Sequence, residues 1–144
     1  MHIPLASAHD VPGILAISNW AALHTHANFS SGEESLDSWQ RDYDATAAKH
    51  PWFIAVEDDT VIAFAKSSPF RGRCAYAWSA EVTVYVDPAH HRRGLARALY
   101  GVLLPVLEAQ QYATLLAQIA LPNDASERLH ESFGFKRIGV LERV

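Results

Sequence analysis

The spacing of hydrophobic positions changes repeatedly along this chain, and each change marks an element. Residues 2–5 read as a first strand. Asp10 is placed to cap a helix with Pro12 in its first turn, and Ile14, Leu15, Ser18 and Ala21 recur at helical spacing on one face. Residues 35–49 repeat that period through Leu36, Trp39 and Tyr43. The apolar runs 52–56 and 61–66 are separated by Glu57-Asp58-Asp59-Thr60, which predicts a hairpin. Residues 75–86 predict one or two further strands, 94–110 a long helix, 114–120 a strand, and 124–133 a helix ended by Gly134. Residues 136–143 predict a closing strand.

Helices, then a hairpin, then strand–helix–strand–helix–strand describe an α/β domain: a mixed central sheet flanked by helices on both faces. One residue runs against the pattern. Pro105 falls inside the long helix, where its ring clashes with the carbonyl four residues earlier at a cost of about 3 kcal/mol. That residue is Gly101, so a bend is expected there.

The stretch 82–86, Val-Thr-Val-Tyr-Val, followed by Asp87-Pro88 and by His90-His91-Arg92-Arg93-Gly94-Leu95-Ala96-Arg97, reads as a strand, a tight turn and a basic loop opening a helix. Backbone N–H groups at a helix start have no internal partner, and the helix dipole favours negative charge there. Two readings stand: a phosphate-binding loop, or an ordinary strand-to-helix connection with solvated arginines.

Composition narrows the choice. The chain has 144 residues, 49% hydrophobic and 19% charged, enough for one packed domain and unlike a disordered segment. A net charge of −4 argues against a broad nucleic-acid surface. Its basic clusters, Arg71 with Arg73 and Arg92-Arg93 with Arg97, suit small anionic ligands better than a polyanion. The single cysteine, Cys74, rules out an intrachain disulfide. The histidine pairs 24/26 and 90/91 lack companion carboxylates or thiolates at a spacing that fixes a metal. Residues 1–25 carry no secretory pattern and no segment reaches membrane-spanning length, so a cytoplasmic protein without nucleic-acid or membrane partners is expected.

Period-two alternation puts Glu81, Thr83 and Tyr85 on one face of the central strand and Val82, Val84 and Val86 on the other. A carboxylate in such a strand is either a strand-end group that reaches solvent or an arginine, or a general base whose pKa burial has raised. On the last helix Asp124 and Glu127 resemble a capping arrangement. Ser126 and His130 share a face of that helix. A lone helical histidine is a satisfied structural residue or a catalytic group, and composition does not separate the two.

Taken together, the chain resembles the GNAT acyl-CoA N-acetyltransferases, within them the phosphinothricin and methionine sulfoximine/sulfone acetyltransferase branch. The resemblance rests on Phe29, Pro51-Trp52, Tyr76, Trp78, Glu81 with Thr83-Val84-Tyr85-Val86, Gly94-Leu95-Ala96, Leu121-Pro122-Asn123-Asp124 and His130-Glu131-x-x-Gly134-Phe135, in family order along nearly the whole chain. It implies a single GNAT domain over residues 1–144 with a mostly antiparallel sheet. Acetyl-CoA would be the co-substrate, a small amino-acid-like amine the acceptor, with no metal, in a homodimer. His91, Arg92, Arg93, Gly94, Leu95, Ala96 and Arg97 would bind the coenzyme pyrophosphate. Val84 and Val86 would offer backbone groups to the pantetheine arm, and Asn123 and Ser126 would contact its far end. Glu81 would be the general base and His130 would serve the leaving thiolate. Phe29, Arg71, Arg73, Tyr76 and Tyr85 would shape the acceptor pocket.

The family's Gln or Arg at the head of the loop is His91 here, and its third loop position is Ala96. The branch pattern also continues past Val144, so the sheet edge, the dimer contact or part of the pocket is expected to fall short of it. Alternatives are a GNAT enzyme acting on a polyamine, an antibiotic or a protein N-terminus, and a non-catalytic acyl-CoA-binding module.

Overall fold

The computed structural model of the chain describes residues 1–25, 32–70 and 78–140. Its elements are α1 (Val11–His24), α2 (Leu36–Thr46), β1 (Trp52–Glu57), β2 (Thr60–Pro69), β3 (Ser79–Val86), α3 (Leu95–Ala109), β4 (Thr114–Leu116) and α4 (Asp124–Ser132). The strands form one sheet in the order β1-β2-β3-β4. The first two pairings are antiparallel and β3–β4 is parallel, the geometry that the crossover helix α3 requires.

The sheet separates two cores. One face packs Val82, Phe53, Ala55, Ala63 and Ala65 against Leu95, Leu99, Tyr100, Leu103 and Leu107 of α3, with Leu129 of α4 and Phe133 just after it at the margin. The other face packs Trp52, Ile54 and Phe64 against Val11, Ile14, Leu15 and Ile17 of α1 and Trp39 of α2. Val84 and Val86 join the first core and Tyr85 the second, so the alternation expected of β3 holds.

Several expectations need correction. The N-terminal strand reduces to two bridges, His2 to Val56 and Leu5 to Phe53, because Pro4 between them has no N–H and offers only its carbonyl, to Ile54. Asp10 does not cap α1: its carboxylate turns back to accept from Ser7 N at 2.8 Å and Ser7 Oγ at 3.1 Å. Helix α2 stops at Thr46 rather than 49, where Lys49 N and His50 N both turn back to the Thr46 carbonyl. Strand β4 ends at Leu116 rather than 120.

Helix α3 runs through Pro105 as one segment. Gly101 and Pro105 both lie on its exposed side, opposite Leu99, Leu103 and Leu107, so the carbonyl that proline leaves unpartnered meets water. After α4, Gly134 adopts φ +88° and the chain turns back on the His130 and Glu131 carbonyls. Residues 136–140 form no strand, and Ile138 and Val140 stand exposed. An alternating pattern makes a strand only beside a free edge long enough to pair with, and β4 offers three residues.

Candidate functional site

Strand β3 leads through Asp87 and a single turn, Pro88–His90, into the basic loop. Arg92 (φ +66°) and Gly94 (φ +73°) are both left-handed there, and Gly94 precedes α3 without a side-chain cap. A left-handed residue followed by a helical one turns successive N–H groups inward. The first-turn N–H groups of Leu95, Ala96 and Arg97 have no partner inside the helix, so this turn is a concavity suited to an anion.

The loop side chains divide by role. Arg93 is committed to Glu57 at the end of β1 through two hydrogen bonds of 2.9 Å, which hold the Glu57 carboxyl below its usual range. His90 lies against Asp87 at 3.1 Å and 3.8 Å from Glu57, completing a strap between the loop and the hairpin. His91 Nε2 donates to the Val86 carbonyl at 3.0 Å, since a carbonyl can only accept. Among the described residues neither Arg92 nor Arg97 makes an ion pair, and the Arg97 guanidinium lies 5.7 Å from the centre of the Phe133 ring.

The edge of β3 forms the second part of the site. Asp87 N donates to the Ile62 carbonyl on β2, whereas the Trp78 carbonyl accepts from Ala113 N on the β4 side. By the period of two, the peptide groups of Val82, Val84 and Val86 also face β4. Yet β4 pairs with β3 only at Ser79, Ala80 and Glu81. Opposite Glu81 β4 ends, so among the described residues the Val84 N–H and C=O have no strand to pair with on that side, which leaves a gap in the ladder. The chain that leaves β4 enters α4 at Asn123. Its Oδ1 accepts from Ser126 N at 3.2 Å, so Asn123 is the cap expected of Asp124.

Glu81 stands where the gap begins. It is half-buried, and among the described residues no hydrogen-bond donor acts on its carboxylate. Burial pushes its pKa up, and the Lys66 ammonium pulls it partly back. Lys66 is not among the residues that the sequence singles out. Its Nζ sits 4.4 Å from the centre of the Trp39 ring and 4.7 Å from that of Trp52, with Asp42 Oδ2 at 3.4 Å. Tyr85, on the same face, tilts against Phe64, and burial raises its phenol pKa.

His130 is placed differently. It is 6% exposed, and both ring nitrogens are engaged. Nδ1 donates to the Ser126 carbonyl at 2.7 Å, which leaves Nε2 to accept from the Tyr100 hydroxyl at 2.9 Å. Tyr100 is fully buried, and desolvation drives its pKa far above the ordinary phenol range. The rings of Tyr100 and Phe135 meet His130 edge-on at 5.2 Å. No contact joins His130 to Glu81: they lie on opposite faces of the sheet. Tyr100 carries no signal in the sequence beyond a helical core position. Phe29, Arg71, Arg73 and Tyr76 lie outside the described residues. Among the described residues, no helix is long and apolar enough to cross a membrane.

The sequence and fold of this chain are similar to those of known proteins. The chain matches the acetyltransferase (GNAT) family model over residues 17–135. It is 36% identical to a phosphinothricin N-acetyltransferase of Streptomyces viridochromogenes over 136 residues, 94% of this chain and 74% of that one. It is 32% identical to an L-methionine sulfoximine/L-methionine sulfone acetyltransferase of Salmonella typhimurium, over 94% of this chain and 80% of that one. The crystal structure of a GNAT superfamily phosphinothricin acetyltransferase from Sinorhizobium meliloti in complex with acetyl-CoA superimposes with a TM-score of 0.87 at 26% identity, covering 94% of this chain and 74% of that one. The chain belongs to the GNAT family and is by that membership an N-acetyltransferase.

Proposed function

We propose that this chain transfers the acetyl group of acetyl-CoA to the α-amine of a small amino-acid-like acceptor of the phosphinothricin or methionine sulfone type, with Glu81 as general base. The observation that carries the reading is the open edge of β3, which runs from a half-buried carboxylate with no hydrogen-bond donor among the described residues at one end to a helix start suited to an anion at the other. Relatives named for such acceptors support the choice of substrate.

The chemistry follows from those parts. First-turn N–H groups of α3, with Arg92 and Arg97, hold the pyrophosphate. The pantetheine arm lies in the gap as a surrogate strand, bonded to the Val84 peptide group; the Val86 carbonyl already has His91. An ammonium cannot attack, so Glu81 removes its proton, directly or through a water. Attack turns the thioester carbonyl into an oxyanion, which a β3 N–H facing the gap can stabilise. Collapse breaks the C–S bond and releases the thiolate, and the proton shed by the acylated nitrogen neutralises it; Asn123 and Ser126 sit at the helix start beyond it.

His130 has one ring proton, given to the Ser126 carbonyl, and its other nitrogen accepts from Tyr100, so it can protonate this thiolate only after taking up a second proton. Lys66 on the Glu81 face disfavours polycationic acceptors, because like charges repel. Phe29, Arg71, Arg73, Tyr76 and Tyr85 complete the acceptor pocket in this reading. The enzyme acts as a homodimer in the cytoplasm.

A thiol-release assay with acetyl-CoA and a panel holding phosphinothricin, methionine sulfone and ordinary amino acids tests the proposal. Turnover with at least one α-amino acid is expected. Folded protein that binds acetyl-CoA yet releases no coenzyme A with any member overturns it.

A further inference from the structure

We propose that Lys66, clamped between Trp39 and Trp52 on the face of the sheet that carries Glu81, is a positioning residue that keeps Glu81 in its charged, proton-accepting form. The inference rests on reading Glu81 as the base and adds a residue that the reading does not need.

Register and packing carry it. Lys66 pairs with Trp52 on β1 and with Thr83 on β3, and Ser68 pairs with Glu81. Lys66 and Glu81 are therefore diagonal neighbours on one face of adjacent strands, a relation within reach of a long side chain. Two indole rings and the single carboxylate of Asp42 hold the ammonium, whose side chain is only 16% exposed. A cation held in place and shielded from water acts on a nearby carboxylate far more than a solvated lysine does.

The described titratable groups on this face are Asp42 and Tyr43 of α2, Lys66 of β2, and Glu81 and Tyr85 of β3, with His50 near enough to Asp42 for that carboxylate to act on it. The buried side of α1 is Val11, Ile14, Leu15, Ile17, Ser18 and Ala21, none of them titratable. Opposite Glu81 on β4 stands Leu116. With burial raising the Glu81 pKa, Lys66 is the group among the described residues that opposes it.

The test is the pH profile of kcat/KM for the acceptor at saturating acetyl-CoA, compared among the parent enzyme, Lys66→Met, Lys66→Arg and Asp42→Asn. Methionine keeps the packing between the indoles and removes the charge. Its acid limb should move to higher pH, with kcat/KM about three- to tenfold lower at the acid end and the alkaline plateau retained. Arginine should keep the parent limb. Asp42→Asn leaves the Lys66 charge uncompensated and should move the limb to lower pH. A limb set by the acceptor's own amine would be common to all four.

An unmoved limb in folded Lys66→Met overturns the inference, as does a loss equal at every pH, which marks a structural role. Should Lys66→Met fail to fold by circular dichroism, an unmoved limb in Asp42→Asn overturns it instead. Glu81→Gln in the same assay separates the two levels. If it is inactive while Lys66→Met keeps the parent limb, only Lys66 is misassigned; if it retains turnover, the base itself is.

Discussion

Glu81 and His130 occupy opposite faces of one sheet and opposite physical states. Glu81 is half-buried with no hydrogen-bond donor on its carboxylate among the described residues. His130 is sealed, one nitrogen held by a main-chain carbonyl and the other by a buried hydroxyl. A carboxylate kept partly from water without a partner destabilises the fold, and such a cost persists where a reaction uses the group. A histidine with both nitrogens satisfied joins two helices whether or not it also moves a proton. The contrast teaches that proximity in a family motif and readiness for chemistry are separate properties.

The largest effect should come from Glu81→Gln. Loss of the base should lower kcat on the order of a hundredfold to ten-thousandfold, with the acetyl-CoA KM little changed, as read by thiol release. Stability should move the other way. Burial raises the folded pKa of Glu81 above its unfolded value, so the ionised group opposes folding. That penalty is absent below the unfolded pKa and grows as pH rises through the folded one. Glu81→Gln should therefore match the parent Tm in acid and exceed it at neutral pH. A variant both inactive and less stable at neutral pH would place Glu81 among the structural carboxylates.

His130 is tested through its partner. Tyr100→Phe removes the hydroxyl that donates to Nε2 and leaves a buried acceptor unmet, which should cost about 1–3 kcal/mol, read as a shift in the denaturation midpoint. If His130 works only as a joint between α3 and α4, kcat should stay close to the parent value at temperatures where the variant is folded. A kcat loss comparable to that of Glu81→Gln would instead tie the Tyr100–His130 pair to departure of the thiolate.

What could be read in advance follows the same division. The hairpin and β3 were legible because hydrophobic period and turn residues are local, and the alternation assigned Glu81 to its face without any structure. Lys66 was not, because its significance lies in the register that sets Ser68 opposite Glu81, and register belongs to the pair of strands. Tyr100 looks like any core residue of α3 until a helix 30 residues on brings a histidine to it. Of the closing strand expected over 136–143, residues 136–140 form none and 141–143 lie outside the described residues: Ile138 and Val140 alternate, but alternation does not reveal whether an edge waits to pair with them. The Asn123 cap was misplaced by one residue, since Asn and Asp in sequence offer equally good caps.

The smallest effects should fall at the other end of the gap, and their ranking sharpens the contrast between backbone and side chain in the loop. Gly94 holds φ +73° with open space around its α-carbon, so Gly94→Ala meets no neighbour and is opposed by backbone strain alone, about 1 kcal/mol. Strain there distorts the turn that aims the N–H groups of α3, and the acetyl-CoA KM should rise about two- to fivefold, the size of a charge interaction at a helix start. Arg93→Ala should raise it less, because that guanidinium is already engaged by Glu57. Both variants should keep the kcat of the parent at saturating coenzyme. If Arg93→Ala proves the costlier of the two, Arg93 leaves Glu57 to meet the coenzyme, and the loop grips it by side chains rather than by its backbone.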